Sequence, residues 1–328
     1  MDLRKAVSMV NQTFLQLISV PILQAFQEFL SDKRSINLSD ETLQTYEIMF
    51  TKFVKTLPEG ENTLTDTLTK ADYQNFVSVL QNGGLRNDVS IQSACRNIRV
   101  ILYWLQNNDY CIPFKVQLPR CQKKIKELYT PEELSVLLKK PDRDCTECEY
   151  ITWCIENLLI CSGLRIGSLV ELKVSDLYPD NTLIVNQTKS NIPLRIAINA
   201  ECASILRKYF KIFNLSDNDY MFATGAGTQY AKNTIKKYVR AYNIKRGVKK
   251  TSCHLFRHSF AANLYKATHD VYLVKQALGH SNIAVTEGYL RSLGCTDVGQ
   301  RMAAAFNPQV QFGTQNTTQK RRGRMRTA

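Results

Sequence analysis

All four histidines of this 328-residue chain lie in one region, at positions 254, 258, 269 and 280. His254 and Arg257 are three residues apart at the start of a helical stretch, so they lie on one face, one turn apart. A guanidinium can hold two oxygens of a phosphate while a neutral imidazole accepts or donates a proton. The pair therefore favours phosphate chemistry, although a His-x-x-Arg pair taken alone is more often structural.

A second arginine follows a glycine that interrupts an apolar helical pattern. The segment 161–167 reads CSGLRIG, which places Arg165 two residues after Gly163. Because burying a guanidinium without a partner is costly, Arg165 needs an anionic group beside it. The alternative to a bound phosphate is an ordinary ion pair with Glu171 or Asp176.

The last histidine closes another helical segment. Leu278 and Gly279 precede His280, and Gly279 stands where the C-cap of a helix is expected. Tyr289 follows nine residues after His280, on another short predicted helix. It is one of 15 tyrosines, and core packing is its default interpretation when it is taken alone.

Taken together, these segments resemble the tyrosine recombinase family of phage integrases and Xer-type recombinases. SGLRIG at 162–167, HLFRH at 254–258, LGHSN at 278–282 and then Tyr289 match that family in order, spacing and local sequence. The resemblance covers most of the chain and implies a helical core-binding domain followed by a mixed catalytic domain. It also implies DNA strand breakage and rejoining without a metal or nucleotide cofactor, because the energy of the broken bond is kept in a phosphotyrosine.

Carried over residue by residue, the resemblance implies a nucleophile and two phosphate-binding arginines. Tyr289 would attack the scissile phosphate and become linked to the 3′ end of the strand. Arg165 and Arg257 would neutralise the charge that grows on the phosphate in the transition state. A tyrosine, with a reference pKa of about 10, needs help to act as a nucleophile at neutral pH.

The resemblance also implies the residues that move protons. His254 is the candidate to accept the tyrosine proton, and His280 is the candidate for a hydrogen bond to the phosphate. Lys189, in a predicted hairpin turn, falls where the family carries the lysine that protonates the departing 5′ oxygen. Lys173 remains an alternative for that role.

One position departs from the family pattern. The family commonly carries an acid three residues after its first arginine, whereas this sequence has Ser168 there. That acid supports the active site from behind, and Glu171, one turn further on, is the candidate substitute. His258 resembles a residue often present in the family, and we interpret it as structural. His269 matches no motif position and is interpreted as a surface residue.

The chain is strongly basic, with 43 Lys and Arg against 29 Asp and Glu and a formal net charge of +14. No acidic residue occurs from Tyr220 to His269, and two more basic clusters lie near Pro119 and in the tail from Lys320 to Arg326. One such cluster can be a solvated face or a frayed end, but three of them favour an extended surface that contacts phosphates. The candidates for DNA binding are Arg120, Lys123, Lys124, Lys126, Lys232, Lys236, Lys237, Arg240, Lys245 and Arg246.

The predicted fold is mainly α-helical with a small antiparallel β-sheet in the catalytic domain. Apolar residues recur at helical spacing from 20 to 110, whereas β-branched runs at 182–187 and 192–198 flank a turn and predict a hairpin. Pro193 in the second run indicates an edge strand. Further helices are predicted at 131–140, 149–161, 200–213, 231–242, 255–267 and 271–278.

The same patterns divide the chain into five segments. An N-terminal extension at 1–19 precedes the helical core-binding domain at 20–110. A basic linker at 111–126 leads to the catalytic domain at 127–305. The basic tail at 306–328 is expected to be disordered until it binds, with a targeting signal as the alternative.

Composition excludes several other classes of protein. No run of about 18 apolar residues predicts a membrane span, and the N-terminus lacks an export signal. The ten cysteines are interpreted as reduced intracellular thiols.

Cys145 and Cys148 form a C-x-x-C pair, but the second pair that a zinc site needs is missing. The segment 224–228, TGAGT, lacks the ending of a nucleotide-binding loop and predicts a plain turn.

The sequence therefore predicts a cytoplasmic, nucleoid-associated, site-specific recombinase that integrates or excises a mobile element. By resemblance, it is a monomer in solution and binds duplex DNA as a homotetramer on paired sites, with no cofactor and no membrane. An accessory DNA-bending or directionality factor is a further expected partner. Two alternatives stay open: a type IB topoisomerase or telomere resolvase with the same chemistry, and a non-catalytic DNA-binding repressor that has kept the fold.

Overall fold

The computed structural model describes residues 17–83, 87–122, 125–186 and 193–295. The chain divides into two compact units, Met1–Lys123 and Lys124–Ala328. The predicted tail and most of the predicted extension lie outside the described residues, as do Lys123, Lys124 and Lys189. In the described part of the chain, no helix is both long enough and apolar enough to cross a membrane.

The first unit is helical, which confirms the prediction for 20–110. Its helices are α1 (Ile22–Ser35), α2 (Asp40–Val54), α3 (Lys70–Asn82) and α4 (Asp88–Asn107). The helix α4 starts at a cap, because the Asn87 side chain accepts a 2.8 Å hydrogen bond from the Ser90 N–H. Aromatic rings fill the core between the helices, and the ring centroids of Phe26 and Phe50 are 3.7 Å apart.

The first half of the predicted linker belongs to the core of the first unit. Cys111 and Val116 are buried there. The Tyr73 hydroxyl, on α3, donates a 2.8 Å hydrogen bond to the Gln117 carbonyl. Pro113 and Pro119, which suggest a linker, therefore lie in a segment whose apolar side chains pack on the first unit.

The second unit is mixed, as predicted. Its helices are α5 (Pro131–Leu138), α6 (Glu147–Ser162), α7 (Ile166–Val170), α8 (Ala200–Ile212), α9 (Lys232–Lys245), α10 (Cys253–Thr268), α11 (Val271–Leu278) and α12 (Ile283–Ser292). A capping box starts α5: the Glu133 N–H donates to Thr130 Oγ1 and the Thr130 N–H donates to the Glu133 carboxylate. The predicted helices are present with ends shifted by a few residues.

Both strands of the predicted hairpin are also present. The strands β1 (Thr182–Val185) and β2 (Leu194–Ala197) pair antiparallel, with Thr182 opposite Ala197. Among the described residues they form a two-stranded sheet. Pro193 directly precedes β2, where its missing N–H removes no hydrogen bond from the ladder.

Two apolar clusters hold the second unit together. The larger one is built on α6, whose Ile155, Leu158 and Leu159 are fully buried, and α8, α9 and α10 pack against this helix. The smaller one joins α10 to α11 and α12 through residues that include Leu278 and Leu290. The helices that carry the predicted histidines, Arg257 and Tyr289 are therefore packed on one another.

Candidate active site

The buried guanidinium of Arg257 connects three parts of the second unit. The side chain is on α10, and its Nη1 donates a 2.7 Å hydrogen bond to the carbonyl of Gly163, at the end of α6. Its Nη2 donates over 2.8 Å to the carbonyl of Leu278, at the end of α11. Burial, and then the charge of Arg165, lower the pKa of Arg257 to about 10, so this group is still a cation at neutral pH.

Arg165 is placed by the sharp end of α6. Gly163 is the left-handed C-cap (φ +63°), and a Cβ at this position would overlap the ring of Phe260. Arg165 then becomes the N-cap residue of the short helix α7. Among the described residues it forms no ion pair with Glu171 or Asp176. Its charge instead acts on Tyr289.

His280 has a defined tautomer. Its Nε2 lies 3.3 Å from Arg257 Nη2, and its Nδ1 lies 2.9 Å from the Oγ1 of Thr286. Because a guanidinium only donates, Nε2 accepts and the Nδ1–H donates to the threonine. Burial, and then the charges of Arg257 and Arg165, lower the pKa of His280 to about 4. The ring is therefore neutral at pH 7.

Tyr289 lies between two imidazole rings. Its ring centroid is 5.5 Å from that of His258 and 5.7 Å from that of His280, in edge-on arrangements. Its hydroxyl is buried and interacts with the side chain of Arg257. Burial raises the pKa of Tyr289 to about 12, although the charges of Arg257 and Arg165 act in the opposite direction.

The two histidines of the HLFRH segment have different surroundings. His254 lies on the exposed side of α10, whereas His258 is buried, and their ring centroids are 5.4 Å apart. Partial burial of the ring, and then the charge of Arg257, lower the pKa of His254. It is neutral at pH 7 and able to accept a proton. His258, interpreted from the sequence as structural, contacts the Tyr289 ring, and burial lowers its pKa to about 4.

A comparison with known families identifies the family of the second unit. Residues 127–294, more than half of the chain, match the model of the phage integrase family. The chain belongs to the phage integrase family. The resemblance drawn from the four motif segments is thus confirmed, and with it the assignment of this phage integrase to the tyrosine recombinases, a class of enzymes.

This integrase is similar to bacterial recombinases over most of its length. It is 25% identical over 280 residues to the tyrosine recombinase XerD of Oceanobacillus iheyensis. The aligned region covers 81% of this chain and 92% of that protein. It is 26% identical over 301 residues to a tyrosine recombinase of Pseudothermotoga lettingae, covering 89% and 99%.

A solved structure supports the fold. The Tn1549 transposon integrase in complex with transposon right end DNA has a TM-score of 0.68 and 19% sequence identity, covering 82% of this chain and 94% of that one. The predicted fold class, mainly α-helical with a small antiparallel sheet, is confirmed.

A polar cavity lies where this integrase has Ser168 instead of the acid common in the family. Ser168 and Glu171 line this cavity of about 400 Å³, and Lys173, the alternative to Lys189, lines it as well. The amide of Gln229 is oriented so that its nitrogen faces Glu171. This nitrogen donates to the two carboxylate oxygens of Glu171 over 3.1 and 3.2 Å. Glu171 is therefore bound by Gln229 rather than directly by Arg165.

The predicted DNA-binding cations fall into different surroundings. Arg120, Lys237 and Arg240 are exposed. Lys245 forms an ion pair with Glu149. Arg246 donates to the carbonyls of two residues at the end of α5, over 2.7 and 3.0 Å, and stacks on a tyrosine ring.

Three other cations of that set lie near the candidate catalytic residues. Lys232 approaches α7, since a Cβ at Gly167 would lie 3.6 Å from its Cε. The charge of Lys236 contributes to the lowered pKa of His254. The ammonium of Lys126 lies over the ring of Tyr289. The sequence carried no signal for this last contact, nor for the bond between His280 and Thr286.

The two weaker motifs of the sequence form a turn and a pair of free thiols in this integrase. The segment 224–228 is the plain turn that was predicted: the Thr224 N–H donates to the Thr228 carbonyl over 2.7 Å, and Gly227 has φ +75°. Cys145 and Cys148 are partly exposed free thiols. Among the described residues, no three His, Cys, Asp or Glu side chains are grouped so that they could hold a metal ion.

Proposed function

We propose that this chain cleaves and rejoins duplex DNA at specific sites through a covalent 3′-phosphotyrosine at Tyr289, and that it integrates or excises a mobile element. The observation that carries the proposal is the Tyr289 hydroxyl. It is buried, interacts with the side chain of Arg257, and lies in the field of Arg165 and Arg257. Two guanidinium groups around such a phenol are suited to bind a phosphate and to stabilise the charge that grows on it.

The proposed cleavage step is a phosphoryl transfer in which one P–O bond replaces another. The Tyr289 oxygen bonds to the scissile phosphorus, its proton passes to the neutral imidazole of His254, and the bond between phosphorus and the 5′ oxygen breaks. Lys189, by family resemblance, gives a proton to the departing oxygen. A 5′ hydroxyl then attacks the phosphotyrosine and reverses these steps, so that rejoining consumes no nucleotide.

Binding of the phosphate supplies the activation that the site lacks without DNA. The negative phosphate takes up the N–H of Arg257 that otherwise points at Nε2 of His280. The Thr286 hydroxyl can accept from Nδ1 or donate to it, so the ring of His280 can change tautomer and present an Nε2–H to the phosphate. The charges of the same two arginines oppose the rise that burial causes in the pKa of the attacking tyrosine.

Duplex DNA is the proposed partner. Exposed cations such as Lys237 and Arg240 lie in the same unit as the site, and the transposon integrase with this fold was solved in complex with DNA. We further propose that monomers assemble into a homotetramer on paired sites, with an accessory DNA-bending or directionality factor. On this proposal the enzyme acts on nucleoid DNA in the cytoplasm.

Covalent capture tests this function and locates the DNA site. The purified chain is incubated with sheared DNA from its source organism, the mixture is denatured with detergent, and the fragments still attached to protein are sequenced. We expect adducts with the wild type and none with Tyr289→Phe. The matched control is Tyr272→Phe, which removes the hydroxyl of an exposed tyrosine on α11 and should leave the adducts unchanged.

Three results would contradict the proposal. Adducts that survive Tyr289→Phe would exclude Tyr289 as the nucleophile. A wild type that binds one sequence tightly but forms no adduct would indicate a repressor. Relaxation of supercoiled DNA by a monomer without site preference would indicate a topoisomerase.

A further inference from the structure

Lys126 lies against the candidate nucleophile. Its ammonium is 5.0 Å from the centroid of the Tyr289 ring. Its backbone N–H donates a 2.8 Å hydrogen bond to the carbonyl of Ser292, the last residue of α12. These two contacts, one from the side chain and one from the backbone, tie the segment before α5 to the helix that carries Tyr289.

The residues next to Lys126 fix the same segment. Leu128 packs on the small apolar cluster that Tyr289 also joins. The Tyr129 N–H donates a 2.9 Å hydrogen bond to the side chain of Ser259, on α10. Contacts beyond Lys126 itself therefore hold the backbone in place, and the lysine side chain starts from a fixed position beside the tyrosine ring.

The charge of Lys126 also acts on the candidate proton acceptor. The cations that lower the pKa of His254 are Arg257, Lys126, Arg165 and Lys236, all of which act in addition to burial of the ring. The ring of His258 packs beside the ring of His254. His258 is neutral at pH 7, because burial, and then the charge of Lys126, lower its pKa to about 4. Each of these cations favours the neutral form of His254, which is the form that accepts a proton.

We propose that Lys126 is a positioning residue of this active site, which holds the ring of Tyr289 for attack and keeps His254 able to accept the tyrosine proton. The inference rests on the function proposed above. An ammonium over an aromatic face is attracted by the ring, and the attraction grows as negative charge develops on the phenol oxygen. Lys126 therefore stabilises the attacking state more than the resting state.

Two substitutions separate the charge of Lys126 from its size. Lys126→Met keeps the length of the side chain and removes the charge, whereas Lys126→Arg keeps the charge. We expect Lys126→Met to slow single-turnover cleavage of a nicked site about tenfold at neutral pH. The acid limb of its pH–rate profile should move to higher pH, because His254 is then protonated more readily. Lys126→Arg should restore most of the rate.

A matched control is available on the neighbouring helix. Lys275 lies 5.4 Å from the ring centroid of Tyr272, an exposed tyrosine on α11 outside the site. Lys275→Met removes the same kind of contact, and we expect it to cleave like the wild type. Equal cleavage rates and equal pH profiles for Lys126→Met and Lys275→Met would overturn the inference.

A measurement on the DNA-free protein tests the inference independently of cleavage. NMR titration of the histidine ring protons should give a higher pKa for His254 in Lys126→Met than in the wild type. If Lys126 only contacted flanking DNA, the substitution would lower the salt slope of binding by about one and leave the His254 pKa unchanged, which would overturn the inference. A wild type that forms no adduct would overturn the proposed function instead, and the titration would still decide the effect of Lys126 on His254.

Discussion

The guanidinium of Arg257 donates a 2.7 Å hydrogen bond to the carbonyl of Gly163, so two motifs that are far apart in the sequence meet at one point. The bond depends on the left-handed conformation of Gly163 (φ +63°), which ends α6 there. Because Arg165 follows two residues later, the same turn brings a second guanidinium to Tyr289. The end of α6 therefore positions both arginines of the proposed phosphate-binding site.

Gly163→Ala should damage both stability and cleavage. The new Cβ would overlap the Phe260 ring, and the left-handed backbone disfavours any side chain. We expect a loss of about 3 kcal/mol in the free energy of unfolding and a loss of adduct formation, measured by urea denaturation and covalent capture. Gly227→Ala is the control: Gly227 also has positive φ, but its Cβ would meet nothing within 4 Å, so only about 1 kcal/mol should be lost. Equal losses for the two variants would contradict the packing argument.

Thr286→Val should impair cleavage without unfolding the protein. Valine keeps the shape of the buried threonine but removes the oxygen 2.9 Å from His280 Nδ1, so neither tautomer of the ring is held in place. We expect cleavage to slow by about 10- to 100-fold, measured in single turnover on a nicked site. Thr286→Ser keeps the hydroxyl and should retain most of the rate. If valine and serine gave the same rate, the hydroxyl would have no part in orienting His280.

Glu156 should make the protein less stable as the pH rises. It is fully buried in α6, and neither carboxylate oxygen has a hydrogen-bond partner in the described part of the chain. Burial therefore raises its pKa well above 4.5, even though the charge of Arg246 opposes this. The native state then keeps a proton that the unfolded state releases above pH 4.5. The wild type should therefore lose about 1.4 kcal/mol per pH unit relative to Glu156→Gln above that pH, until the native carboxyl ionises.

Urea denaturation of both proteins from pH 4.5 to 7.5 measures this difference. Glu149, also on α6, provides a control of opposite sign. The ion pair with Lys245 is the largest of the causes that lower the pKa of Glu149. The ionised carboxylate therefore stabilises the native state at neutral pH, and this stabilisation is lost as the pH falls. Glu149→Gln should therefore destabilise more at pH 7 than at pH 3. A pH-independent difference between Glu156→Gln and the wild type would show that Glu156 is ionised in the native state.

The helices, and the proximity of the candidate site residues, could be predicted because their signals are local. The segment 271–278 is helical as predicted, and the predicted helix at 255–267 is observed as Cys253–Thr268. Repeating apolar residues, caps and glycines fix such elements over a few turns. The motif residues Arg257, His280 and Tyr289 are adjacent in space, as the family resemblance implied.

The remaining features could not be predicted because they arise from packing between distant segments. Nothing near Lys126 in the sequence indicates a tyrosine partner more than 160 residues away. Arg246 and Lys237 are both cations of one basic stretch, yet only the first donates to backbone carbonyls of another helix end. Basic charge in a sequence therefore does not distinguish a residue that stabilises the fold from one that is exposed for DNA.

This distinction predicts different salt dependences for cations of the same helix. Lys237→Gln and Arg240→Gln remove exposed charges on α9, and each should lower the slope of log K against log salt by about one, with similar losses on all DNA sequences. Arg246→Gln should leave that slope unchanged and instead reduce stability by about 1–3 kcal/mol, because its two carbonyl partners lose a charged donor.

Lys211→Gln, at an exposed cation of α8 outside the predicted set, is the control for net charge. Filter binding between about 50 and 200 mM salt, where phosphate contacts weaken steeply, measures the salt slope. Urea denaturation measures the change in stability. Equal slopes for all four variants would show that α9 does not face the DNA.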